Sequence, residues 1–172
     1  MNLPGRWPAS EQLLEEVKLY QRRKDVVDVD EGRIKVVLFR AGAGLYAFPG
    51  EAIREILSGQ EIAWVPNLPA FLPGLIHVRG DIESVIDIRS FLGGDGVKAG
   101  GGLVVLAIKG AFRSGILVDA VEDVADIPLS ALKPPLSTLG GAARDLVAAE
   151  IDLGGPVIPL LDLDKLAAKV TL

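Results

Sequence analysis

The stretch Leu68-Pro69-Ala70-Phe71-Leu72-Pro73-Gly74-Leu75-Ile76-His77-Val78-Arg79-Gly80-Asp81-Ile82-Glu83-Ser84-Val85-Ile86-Asp87-Ile88-Arg89 decides the fold class. Pro66, Pro69 and Pro73 mark an irregular connection, since proline lacks a donor and fixes its own backbone angle. Leu75 to Arg79 and Ile82 to Ile88 then read as two strands joined around Gly80-Asp81. Alternation places Leu75, His77 and Arg79 on one face of the first strand. Asp87 is positioned to cap a short turn, Arg89 to Leu92, which Gly93 ends. Gly74 and Gly80 serve backbone geometry.

Similar units lie on either side. Ile34 to Arg40, the turn Ala41-Gly42-Ala43-Gly44, and Leu45 to Phe48 form a first hairpin. Pro49-Gly50 is expected to open a short helix, Glu51 to Leu57, with Ala52, Ile53, Ile56 and Leu57 inward and Arg54, Glu55 and Ser58 outward. Ile62 to Val65 is a short strand. Past a glycine-rich loop, Gly93 to Gly102, Leu103 to Lys109 and Phe112 to Val118 pair around Gly110. Val121, Val124 and Ile127 follow, then a loop at Pro134-Pro135. Leu146 to Leu153 and Pro156 to Leu161 pair around Gly154-Gly155. Asp162 and Asp164 start a closing helix with Leu163, Leu166, Ala167 and Val170 as its stripe. Hairpins at this spacing predict an all-β barrel or sandwich fold. A faint internal echo points to two similar small barrels side by side. Ala52-Ile53-Arg54-Glu55-Ile56 resembles Ala120-Val121-Glu122-Asp123-Val124, and Val85-Ile86-Asp87-Ile88 resembles Leu160-Leu161-Asp162-Leu163.

Residues 1–33 differ in kind. Pro8 and Ser10 read as a helix start, and Leu13, Leu14, Val17 and Tyr20 recur at helical spacing. Glutamates precede lysines and arginines along it, which complements the helix macrodipole. Asp25 to Gly32 reads as a charged linker. Such a helix packs on its own domain or docks in a partner's groove; both readings stand.

Composition narrows the function. The 172 residues carry a net charge of -5, with no basic stripe, so nucleic acid is not an expected partner. The absence of cysteine excludes disulfides, thiolate catalysis and zinc–thiolate sites. The longest apolar run, Leu103 to Ile108, is too short to span a bilayer, and no secretory signal opens the chain; a cytoplasmic location is expected. His77 is the only histidine, so Ser-His triads and two-His metal sites are not expected. It reads as a surface or groove residue rather than a phosphate acceptor. The carboxylate pairs Asp81 with Glu83, Asp119 with Asp123 and Asp162 with Asp164 are each local to a turn or helix start, where capping accounts for them. Neither Gly93-Gly94-Asp95-Gly96 nor Gly100-Gly101-Gly102 leads from a strand into a helix carrying Lys-Ser or Lys-Thr, so no phosphate loop is expected. No catalytic residue, cofactor or metal is expected, and the protein reads as a non-enzyme.

The central segment, from Leu68 through Arg79-Gly80 to Val85-Ile86-Asp87-Ile88-Arg89, resembles the signature of CheW domains. That pattern runs from proline, a small residue and an apolar pair to glycine, then through a strand to Arg-Gly and on to an apolar pair, Asp and an apolar residue. Val37 to Phe39 with Tyr46, Ile53-Arg54-Glu55-Ile56, and Gly115-Ile116-Leu117-Val118-Asp119 with Val121 and Val124 resemble flanking parts of the family. The likeness runs from about Ile34 to Val170. It departs at Ser84, where the family usually has proline, and at His77, where asparagine is frequent.

The resemblance implies two five-stranded SH3-like β-barrels packed together in one domain, 34–172, with short helices and the extension 1–33. It implies a non-enzymatic adaptor joining the helical signalling tip of chemoreceptors to the regulatory domain of a CheA-type histidine kinase. The residues expected at the receptor or kinase interface are Ile53, Arg54, Glu55, Phe71, Gly74, His77, Val78 and Arg79. Gly80, Asp87 and Asp119 are expected to shape turns or caps. Self-association is left open. The competing readings are a CheW-like accessory adaptor for surface motility or second-messenger signalling and, in another class, a small β-barrel ligand binder or hydrolase. The latter requires a deep pocket near Glu83, Asp119 or Asp123.

Overall fold

In the computed structural model, residues 13–19, 31–93, 102–136 and 142–171 are described. The expected helix start at Pro8 and Ser10, Tyr20, most of the linker and the glycine-rich loop 94–101 lie outside them. Residues 13–19 form helix α1. Strands follow at Arg33–Ala41 (β1), Gly44–Pro49 (β2), Ile53–Ser58 (β3), Ala63–Trp64 (β4), Gly74–Val78 (β5) and Asp81–Asp87 (β6), then helix α2 at Arg89–Leu92. The second series is Leu103–Lys109 (β7), Phe112–Val118 (β8), Ala120–Pro128 (β9), Leu132–Lys133 (β10), Val147–Ile151 (β11) and Ile158–Leu161 (β12), closed by helix α3 at Leu163–Val170.

The strands form two six-stranded sheets, ordered β10-β11-β12-β2-β1-β9 and β4-β5-β6-β8-β7-β3. The two orders are the same pattern with the halves exchanged. Each sheet joins a three-strand block from one half of the sequence to a hairpin from the other half. Each block docks in parallel: β6 beside β8 and β12 beside β2. Each hairpin is extended by a strand that crosses over from the other hairpin: β3 pairs with β7, and β9 pairs with β1. The sequence echo falls on equivalent places, β3 with β9 and the end of β6 with the end of β12.

This exchange explains why the strands read as continuous apolar runs. Every residue from Val36 to Ala41 is buried. A strand covered on one face alternates, whereas one covered on both does not. Val37, Phe39 and Ala41 enter a central core with Phe48, Ile86, Val105, Ala107, Ile116 and Val118, which holds the sheets together. Val36 and Leu38 point the other way, into a core with Leu45, Ala47, Ile127, Ile151 and Ile158. The second sheet has its own outer core of Ile76, Val78, Val85, Val104, Leu106 and Leu117. Helix α3 places Leu163 and Leu166 in the central core, and its cap is the expected one: Asp162 Oδ1 accepts the N–H groups of Asp164 and Lys165.

One expectation is corrected. The helix Glu51 to Leu57 is a single 3-10 turn, Gly50–Ala52, followed by the edge strand β3. Seven residues form a poor helix alone, while β3 satisfies its backbone groups on β7. Ile56, expected inward, is 40% exposed, because strand alternation turns it away from Ile53 and Leu57. The strands lie in two six-stranded sheets, and no ladder joins the outer strands of either sheet among the described residues.

Tyr46 stacks on Phe39 with centroids 5.8 Å apart, and burial pushes its phenol above the usual value of 10.0. A raised folded pKa means that stability is full below the unfolded value and falls as pH rises through the folded one. Alkaline unfolding curves of the wild type should therefore lose stability above pH 10 or so more steeply than those of Tyr46→Phe. Parallel curves would remove Tyr46 from that role.

Candidate functional site

The β5–β6 hairpin brings together most of the sequence candidates. Val78 pairs with Asp81, so the loop is Arg79-Gly80 rather than Gly80-Asp81. Both loop residues have positive φ, 51° at Arg79 and 88° at Gly80. A two-residue turn of this hand matches the twist of the flanking strands. Glycine adopts it freely; an arginine there costs about 1–2 kcal/mol. Arg79 is thus lifted off the strand on which alternation placed it. Its side chain is 80% exposed, and its Nη2 donates to Glu55 Oε1 at 2.9 Å. Glu55 lies on β3, the far edge of the same sheet. The sheet is therefore curled enough for the hairpin tip to meet its opposite edge. An exposed pair of this kind contributes about 0–1 kcal/mol, too little to offset the turn strain. The fold alone gives no reason for arginine at this position. Arg54, beside Glu55, is exposed, and Ile53 is half-buried against the central core.

Below the tip, His77 and Ile82 face each other across the hairpin. Leu75 and Ala63 continue the same face on β5 and β4. With Gln60 and Glu61 they line an open groove of about 410 Å³. Ile82 and Trp64 are 63% and 61% exposed, more than any other large apolar residue described. Neither was among the sequence candidates, although the alternation that placed His77 outward also places Ile82 outward. The strip is apolar at its centre, acidic at Glu61 and basic at Arg79.

Two candidates face inward. Val78 is 6% exposed and belongs to the outer core of the second sheet, so it offers no surface. Gly74 is buried, and a Cβ there would lie 2.1 Å from the carbonyl oxygen of Ala63. Its glycine keeps β4 and β5 close and is structural. Phe71 is half-buried in the turn before β5, tilted against Phe91 at 5.3 Å, and its carbonyl accepts the N–H of Asp87.

Asp87 and Asp119 belong to a clamp. Asp87 is fully buried, and Arg89 is 6% exposed. Arg89 Nε donates to Asp87 Oδ1 at 3.0 Å, and its Nη1 donates to Asp119 Oδ1 at 2.8 Å. Asp87 Oδ1 also accepts the N–H of Arg89, which is the capping role expected of it. Asp119 Oδ2 accepts the N–H of Gly42, in the β1–β2 turn, at 2.6 Å. The clamp thus reaches from the end of β6 in one sheet to a hairpin of the other. Arg89 was the missed member; its signal was the Asp-x-Arg spacing.

The carboxylate pairs noted in the sequence have partners of their own. Glu83 pairs with Arg113, which also lies 3.8 Å from Asp81. Asp164 pairs with Lys109 at 2.8 Å, and Asp123 accepts the N–H of Val124. A second open cleft, of about 400 Å³, lies between α3 and β8, with Ser84 and Ser114 in its wall. Their hydroxyls are 2.9 Å apart, and Ser114 Oγ also donates to the Ser84 carbonyl. Neither cleft is lined by Glu83, Asp119 or Asp123. Among the described residues, no three acidic or histidine side chains converge as a metal site would require, and no helix is long and apolar enough to cross a membrane.

The model of the CheW-like domain matches residues 35–171. The chain belongs to the CheW-like family. It is similar to the chemotaxis protein CheW of Treponema pallidum, 25% identical over 86% of this chain and 89% of that protein. It is also similar to Protein FrzA of Myxococcus xanthus, 28% identical over 74% of this chain and 81% of that one. The crystal structure of the scaffolding protein TtCheW from Thermoanaerobacter tengcongensis has the same fold, with a TM-score of 0.69 and 24% identity over 76% of this chain and 90% of that one.

Proposed function

We propose that this CheW-like protein is a non-enzymatic cytoplasmic adaptor that couples a chemoreceptor's helical signalling tip to the regulatory domain of a CheA-type histidine kinase. The observation that carries the reading is Arg79, held at a strained, solvent-facing turn whose cost its ion pair does not recover. Strain kept at an exposed position is a mark of function. The receptor rod offers an apolar stripe flanked by charge. The strip of Ala63, Leu75 and Ile82, with His77, Glu61 and Arg79 around it, is complementary in pattern. Glu55, Arg54 and the exposed part of Ile53 extend it across the curled sheet, and Phe71 lies in the turn leading into β5. We read each curled sheet as one SH3-like barrel, and the CheW-like domain as residues 34–172, preceded by the extension 1–33, whose helix α1 packs on the first sheet.

Arg79→Gly separates fold from function. Glycine relieves the left-handed strain, so the melting temperature should not fall. Capture of a receptor tip or kinase regulatory domain at low salt should weaken about tenfold, the loss expected for one interface arginine. Low salt keeps the charge contribution visible. Undiminished capture of both partners by the folded variant would remove Arg79 from the interface.

A further inference from the structure

Helix α1 lies outside the matched domain, which begins at residue 35, yet it fills part of that domain's interior. Leu13, Leu14 and Val17 are 9%, 7% and 1% exposed. They pack in the outer core of the first sheet, with Ala125, Ile127, Ala131, Ile151 and Ile158. The wall of this seat is made by the CheW-like domain, and its occupant is a short amphipathic helix. That occupant fits imperfectly. Glu16, on the same turn, has its Oε2 buried with no hydrogen-bond partner. It rests against Gly155 in the β11–β12 turn, so closely that a Cβ on Gly155 would fall on the carboxylate. A carboxylate oxygen removed from water without a compensating bond weakens whatever contact places it there.

We propose that the outer face of the first sheet is a helix-binding groove, with α1 as its weak resident occupant. Its partner is a protein helix of the same register, aliphatic at the positions of Leu13, Leu14 and Val17 and neutral at that of Glu16. Such a helix makes the same apolar contacts without burying an unpaired carboxylate oxygen, and it displaces α1. The groove is separate from the β5–β6 hairpin, so a partner seated there adds to, rather than replaces, the adaptor contacts proposed above.

Hydrogen exchange on the full chain tests the residency. The amides of residues 13–19 should exchange at least about tenfold faster than those of β1, as expected for a locally opening element. Glu16→Leu should slow them at least about tenfold while β1 is unchanged. Equal protection of α1 and β1 in the wild type overturns the proposal. A labelled peptide spanning Ala9 to Arg22 and carrying Glu16→Leu tests the groove directly. It should raise its anisotropy on binding the full wild-type chain and bind the Glu16→Leu chain at least about tenfold more weakly, because the improved resident helix holds its seat. Failure to bind, or equal binding to both chains, overturns the exchange.

Discussion

Arg89→Ala should lower the unfolding free energy by about 3–5 kcal/mol, the loss typical when one partner of a buried ion pair is removed. Asp87 is fully buried, and without the guanidinium its carboxylate keeps only the N–H of residue 89. Asp119 loses the same partner and with it the orientation that receives the Gly42 N–H. The clamp spans the sheets, so the loss should appear as a lower urea midpoint with little change in slope, at about 2–4 °C of melting temperature per kcal/mol. A double variant, Arg89→Met with Asp87→Asn, should recover much of the loss, since most of the penalty is the stranded charge rather than the missing attraction. A loss under about 1 kcal/mol for Arg89→Ala would mean that water reaches Asp87 and that the clamp is not what joins the sheets.

Phe39→Ala should cost a similar amount, about 3–5 kcal/mol, through a different cause. Phe39 is fully buried in the central core, with its ring stacked on Phe48 at 4.1 Å and on Tyr46 at 5.8 Å. Truncation opens a cavity between sheets that are each already packed on their other face. A sheet supported on both sides cannot collapse into the gap, so the cavity cost is retained. Phe39→Leu should fall between alanine and wild type. If Phe39→Ala costs under about 1 kcal/mol in chemical denaturation, the central core is looser than its burial implies.

Much of the hairpin pattern was legible. The apolar runs at Leu103 and Phe112 and the turn at Gly110 became β7 and β8 with the expected loop. Asp162 caps α3 as read, because capping depends only on neighbours in sequence. The failures fall where local rules permit two outcomes. Ile53, Ile56 and Leu57 satisfy a helical spacing as well as a strand, and only the presence of β7 decides between them. Val78 was named for the interface although alternation sets it opposite His77, and it lies inside; Arg79 was placed beside His77 by alternation, and a turn starting one residue earlier takes it off the strand. At the candidate site, His77 and Arg79 were visible as residue types. The Glu55–Arg79 pair was not, since it depends on a sheet curling until β3 meets the β5–β6 tip.

Taken alone, the sequence determined the strand-rich class, most of the hairpins, the caps at Asp87 and Asp162, and the signature shared with CheW-like domains. These follow from turn chemistry and spacing over a few residues, and such forces act before distant parts of the chain meet. The tertiary structure alone decided that each half lends a hairpin to the other's sheet, that Arg89 joins the two, and that Arg79 meets Glu55 across the curled sheet. Those outcomes depend on which apolar face finds a covering partner, a choice between surfaces far apart in the chain that no local pattern specifies.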